Sequence, residues 1–71
     1  MKHKPGKRVR ELRRAREMTL ADLAKRARMH KSSMSRIENG KQGIRGDELI
    51  RLARALDCSA DDILGIEGAA A

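Results

Sequence analysis

The sequence contains no phenylalanine, tyrosine or tryptophan. A core must therefore be assembled from Leu, Ile, Val, Met and Ala, and with strand-favouring residues so scarce, helices are the expected elements. The same absence leaves no ring on which an unpaired base stacks, which argues against single-stranded nucleic acid as a target. One cysteine, Cys58, excludes an internal disulfide and fits a reducing compartment. No apolar run approaches the ~20 residues needed to cross a bilayer, and no signal-peptide pattern appears, so a soluble, cytoplasmic protein is expected. Chemistry-bearing clusters are missing as well. His3, His30 and Cys58 lack metal-ligand spacing. Ser32, Ser33 and Ser35 have no base–acid pair to activate them as nucleophiles, and no glycine-rich phosphate motif is present. These absences point away from an enzyme, a metal site and any cofactor.

With 71 residues there is room for one domain. Its net charge is +7, and the distribution is steeper than that total suggests. Residues 1–45 carry 15 of the 17 Lys and Arg against four acids, Glu11, Glu17, Asp22 and Glu38, for a net +11. Residues 46–71 carry Arg51 and Arg54 against six acids, for a net −4. Such asymmetry places a polyanion-binding surface on the first two-thirds of the chain and directs the last third elsewhere.

Apolar spacing predicts five helices. Residues 1–6 read as a flexible basic arm punctuated by Pro5-Gly6, with a domain over 7–66 and a frayed tail over 67–71. A first helix over Arg8–Arg16 carries Val9, Leu12 and Ala15 inward and a basic outer face. Thr19 is a good N-cap with Asp22 three residues on, a capping-box spacing, and Leu20, Leu23, Ala24 and Ala27 form the stripe of a second helix. A third begins near His30 or Lys31, points Met34 and Ile37 inward, and ends at Gly40. Two helices of about eight and nine residues around a three- to four-residue turn have the dimensions of a helix-turn-helix. A loop over Gly40–Gly46 leads to a fourth helix over Asp47–Leu56, with Leu49, Leu52, Ala53 and Leu56 at helical spacing. Ser59 and Asp62 repeat the capping box before a short fifth helix carrying Ile63 and Leu64. Met18, Met29 and Met34 read as core fillers, and Cys58 as a small buried hydrophobe.

Three segments in order, Thr19-Leu-Ala-Asp-Leu-Ala-Lys-Arg-Ala, Met34-Ser-Arg-Ile-Glu-Asn-Gly40 and Leu49-Ile-Arg-Leu-Ala-Arg-Ala-Leu56, resemble the XRE-like, or phage-repressor and Cro-type, helix-turn-helix family. The resemblance spans about residues 7–65. It implies an all-α, compact five-helix bundle, lambda-repressor-like, whose third helix lies in the DNA major groove. It also implies an ion pair between Arg13 and Glu38, and Glu38 is in fact the only acid among residues 23–46, an isolated carboxylate amid cations. Two positions depart from the family pattern. Leu20 stands where Gln often reaches a phosphate, and Arg28 stands at a turn position commonly held by Gly, so it must either adopt a left-handed conformation or turn differently.

With Met34 and Ile37 inward, the outward set on the third helix is Lys31, Ser32, Ser33, Ser35 and Arg36. Arg36 is the leading candidate for a base contact, because a guanidinium bonds guanine O6 and N7 together. Lys31 and Ser32 occupy positions the family uses for base reading, with Ser35 beside them, although Lys31 also suits a phosphate. Backbone contacts are expected from Thr19, His30, Ser33, Asn39, Lys41, Arg45 and the amides of the Gly40–Gly46 loop. Lys2, Lys4 and Lys7 read more simply as part of a loose tail. The expected activity is a DNA-binding transcriptional regulator, a repressor acting as a homodimer on an inverted repeat, since one small module makes few contacts. Ile63, Leu64 and Ile66 offer apolar area for the dimer, though the core must claim one or two of them. The competing readings are an antitoxin or adaptor whose main partner is a protein, and a DNA-binding fragment of a longer regulator.

Overall fold

The computed structural model describes residues 5–65, so residues 1–4 of the expected arm, Ile66 and the tail over 67–71 lie outside the described residues. Five helices follow in order: α1 (Pro5–Ala15), α2 (Leu20–Arg26), α3 (Lys31–Glu38), α4 (Gly46–Ala55) and α5 (Ala60–Leu64), with no strand among the described residues. Helix α1 lies against α3 and α5, α2 lies against α3 and α4, and α4 also meets α5. At their common centre Val9, Leu23, Met34, Leu52, Leu56 and Ile63 are fully buried, with Met18, Ala24, Ala27 and Ala53 between them. An aromatic-free core of this kind is filled by branched aliphatics and methionine, whose flexible thioethers take up irregular gaps.

Two expectations about α1 change. The helix begins at Pro5 rather than Arg8, because proline is well placed at a first helical position, where its missing N–H has no helical partner in any case. Gly6 is buried, not part of an arm, and a Cβ there would collide with the Ile37 carbonyl oxygen. Glycine at this position is what lets the start of α1 approach the end of α3. Ala15, expected inward, is exposed.

Helix ends follow one repeated plan. Helices α1 to α4 each close with a residue in the left-handed region: Glu17 (φ 54°), Arg28 (φ 57°), Gly40 (φ 73°) and Asp57 (φ 53°). In each the following amide reaches back five residues: Met18 to Arg13 O at 3.1 Å, Met29 to Ala24 O at 2.8 Å, Lys41 to Arg36 O at 2.9 Å, and Cys58 to Ala53 O at 2.9 Å. This is the Schellman arrangement, and it satisfies carbonyls that the helix leaves orphaned. Three of the four left-handed residues carry side chains, at a cost of about 1–2 kcal/mol each. In those three the next residue is Met18, Met29 or Cys58, all packed on the core, so apolar burial offsets the strain. Arg28 therefore accepts the left-handed turn in place of the family's glycine.

The helix beginnings differ more. Helix α2 has a full capping box: the Thr19 hydroxyl accepts from the Asp22 amide, and the Asp22 carboxylate accepts from the Thr19 amide, both at 3.0 Å. Helix α5 repeats it with Ser59 and Asp62 at 3.0 and 3.1 Å. The amide and hydroxyl of each capping residue hold Asp22 and Asp62 below the ordinary carboxylate pKa. Their contribution is complete above that ordinary value and is lost as pH falls through the depressed one. Helix α4 has half a box, with the Arg45 amide donating to Glu48 at 2.9 Å.

Candidate nucleic-acid interface

Helix α3 buries Met34, Ile37 and Glu38 and leaves Lys31, Ser32 and Arg36 exposed. Ser33 and Ser35 are half-buried at the edge of that face. Among the described residues neither Lys31 nor Arg36 has an ion-pair partner. His30 is the N-cap, exposed and extended (φ −71°, ψ 143°), and its side chain makes no capping bond. The first amides of α3 are therefore left to solvent, and with them the positive end of the helix dipole.

The C-terminal end of α3 is closed instead. Its last four carbonyls are all occupied: Ser35 O by the Asn39 amide at 3.0 Å, Arg36 O by Lys41 at 2.9 Å, Ile37 O by Gly40 at 3.1 Å, and Glu38 O by Arg10 Nη2 at 3.1 Å. The Glu38 carboxylate, in a residue only 6% exposed, receives Arg13 Nε at 2.7 Å on Oε2 and Nη2 at 3.0 Å on Oε1. Arg13 also donates to Met18 O at 2.8 Å, so the expected pair ties α1 to both α3 and its own C-terminal turn. The hydrogen bond to Glu38 raises the Arg13 pKa, which keeps the guanidinium charged. Burying a carboxylate is tolerable only with this fork-to-fork geometry.

Arg10 is the participant that sequence reasoning missed. Its Nε lies 3.4 Å from Glu38 Oε1, and Nη2 donates to Asn39 Oδ1 at 2.6 Å. The available signal was its position one turn before Arg13, which puts two guanidiniums on one face of α1 above the only nearby acid.

Of the expected backbone-contact residues, only Ser33 is half-buried. Thr19, His30, Asn39, Lys41 and Arg45 are exposed, each at a helix cap or in the loop after α3. The loop amides are fewer than expected. Gly40 and Lys41 spend theirs on closing α3, and Arg45 donates to Glu48, which leaves those of Gln42, Gly43, Ile44 and Gly46. Ser35 is also partly engaged, its hydroxyl accepting from Asn39 Nδ2 at 3.4 Å. At the other end of the molecule Ile63 is fully buried, so it belongs to the core and not to a dimer surface, because α5 is too short to serve both. Leu64 is half-buried. The large apolar side chain most exposed among the described residues is Ile50 on α4, at 54%. No described helix is long and apolar enough to cross a membrane, and no described cluster of His, Cys, Asp and Glu suits a metal.

Comparisons with known proteins agree with this geometry. A comparison with curated proteins gives no significant match. Among solved structures, the restriction-modification controller protein C.AhdI from Aeromonas hydrophila superposes with a TM-score of 0.82 at 30% identity, covering 84% of this chain and 91% of that one. The P22 c2 repressor in complex with a synthetic operator gives 0.81 at 29% identity, covering 87% and 94%. SinR, the master regulator for biofilm formation, in complex with DNA gives 0.81 at 30% identity, covering 84% and 97%. The family model of the helix-turn-helix domain matches residues 6–64, and the chain belongs to that family of DNA-binding transcription regulators, of the XRE and phage-repressor type.

Proposed function

We propose that this protein is a sequence-specific regulator, a repressor, that binds double-stranded operator DNA in the cytoplasm as a homodimer on an inverted repeat, with α3 in the major groove. The observation that carries the reading is α3 itself: one face buried, the other presenting Lys31 and Arg36, unpaired among the described residues, beside an N-terminus without a side-chain cap. In this reading Arg36, Lys31, Ser32 and Ser35 meet base edges, with Arg36 directed at guanine. Thr19, His30, Ser33, Asn39, Lys41 and Arg45 meet phosphates, which fix register without reading sequence. Leu20 offers no polar atom to the backbone, so more of the clamping falls to Thr19 and the α2 N-terminus. The dimer surface draws on Leu64, Ile66 and the exposed Ile50, in the acidic third that DNA would repel.

The test is selection from a randomised duplex pool, followed by titration of the recovered sequence against scrambled duplex at two salt concentrations. A two-fold symmetric motif bound at least ~10³-fold tighter than scrambled DNA supports a dimeric specific regulator. Affinity that only falls with salt, with no motif recovered, rejects it in favour of an adaptor whose partner is a protein.

A further inference from the structure

We propose that Arg10 is a positioning residue for the DNA contact: it fixes the side-chain amide of Asn39 so that the NH2 group, and not the carbonyl, is offered to a phosphate. Arg10 has three acceptors within reach, and the distances rank them. The shortest is Asn39 Oδ1 at 2.6 Å, ahead of Glu38 O at 3.1 Å and Glu38 Oε1 at 3.4 Å. Glu38 already has a two-pronged partner in Arg13, so its carboxylate does not depend on Arg10. What Arg10 supplies and Arg13 does not is the donor to Glu38 O and, closer still, the bond to Asn39, an exposed residue at the end of α3.

The chemistry follows from what each group can do. An asparagine amide has an acceptor end and a donor end, and a phosphate only accepts. A freely rotating Asn39 would present its oxygen to the phosphate in part of its conformations and repel it there. A guanidinium donates but never accepts, so Arg10 can hold only the carbonyl end. The NH2 end then lies on the α3 side, where it reaches Ser35 Oγ at 3.4 Å, a long bond that a phosphate oxygen readily replaces. The rotamer entropy of Asn39 is thus spent in folding and not at binding.

The inference rests on the proposed phosphate role of Asn39, and its test separates the two. In 15N-labelled protein without DNA, the Asn39 side-chain amide should give two well-dispersed proton resonances that converge toward the free-amide position in Arg10→Met. On the selected duplex, Arg10→Met and Asn39→Ala should each weaken binding about tenfold, and the double variant should be no weaker than either single one. Arg10→Lys keeps the charge but replaces the planar Nε–Nη2 edge, whose Nη2 bonds both Glu38 O and Asn39 Oδ1, with one rotatable ammonium, so it should recover thermal stability and not affinity. Asn39→Asp retains a partner for Arg10 while replacing the donor with a carboxylate, so it should stay folded and lose binding. Should Arg10→Met fail to fold, Arg10→Lys and Asn39→Asp carry the test. Two losses that multiply to about a hundredfold, or an Asn39 amide indifferent to residue 10, overturn the proposal. Wild-type protein that binds no DNA overturns the regulator reading first, and the role of Arg10 with it.

Discussion

The two ends of α3 are built in opposite ways. At its C-terminus every carbonyl has a donor, a buried carboxylate is held by two arginines, and Gly6 lets α1 press against the last turn. At its N-terminus the cap residue is a histidine with no capping bond, and the neighbouring side chains are exposed cations and serines. Helix α2, in the same helix-turn-helix unit, shows that this sequence can cap an N-terminus with a complete capping box. A helix end that a fold leaves unsatisfied is one that a ligand can satisfy, and amides plus a positive dipole suit an anion. In the proposed function the closed end provides rigidity and the open end provides the surface for DNA.

That contrast can be broken from either side. Glu38→Ala strands two guanidiniums against the core and should cost about 3 kcal/mol, read by urea unfolding; the partial exposure of Arg10 keeps it near the low end for a broken buried pair. Gly6→Ala, ordinarily favourable within a helix, should destabilise by about 1–3 kcal/mol because the backbone of Ile37 cannot move aside cheaply. At the open end Arg36→Ala should leave unfolding within about 0.5 kcal/mol of wild type. It should cost about 1–3 kcal/mol of specific binding and relax one base position, seen by repeating the selection. His30→Asp sharpens the comparison most, because its two effects have opposite sign. A carboxylate at the N-cap can accept from the Ser33 amide and should stabilise the fold by about 1 kcal/mol, while affinity for DNA drops at least about tenfold. Smallest is Arg28→Gly, which relieves the left-handed strain and should raise stability by about 0.5–1 kcal/mol in the same unfolding assay.

Much of this architecture is legible in the sequence, for local reasons. Capping boxes at Thr19 and Ser59 depend on residues three apart, and the stripes of α2 and α4 depend on helical spacing, so both can be read without knowing the fold. Glu38 announces itself as the only acid for two dozen residues. What escapes is tertiary. Pro5-Gly6 has the composition of a turn, and only the closeness of Ile37 explains why it is the first turn of a buried helix. Arg10 looks like any solvated cation until α1 lies beside the end of α3. The amides of Gly40 and Lys41 look available from sequence, but the Schellman closure consumes them. Ile63 could not be divided between core and dimer surface by pattern alone, since a helix as short as α5 has too few turns to define a face.

The central claim, that the open end of α3 is the DNA surface, is tested most directly by titrating 15N-labelled protein with a mixed-sequence duplex and following every backbone amide. Even nonspecific binding should use the same face. The account predicts that the largest shifts fall on His30 to Arg36, on Thr19 and Leu20, and on Lys41 to Ile44, with α5 and the Ile50 face of α4 unmoved. Shifts centred on α4 and α5 with α3 silent would contradict it.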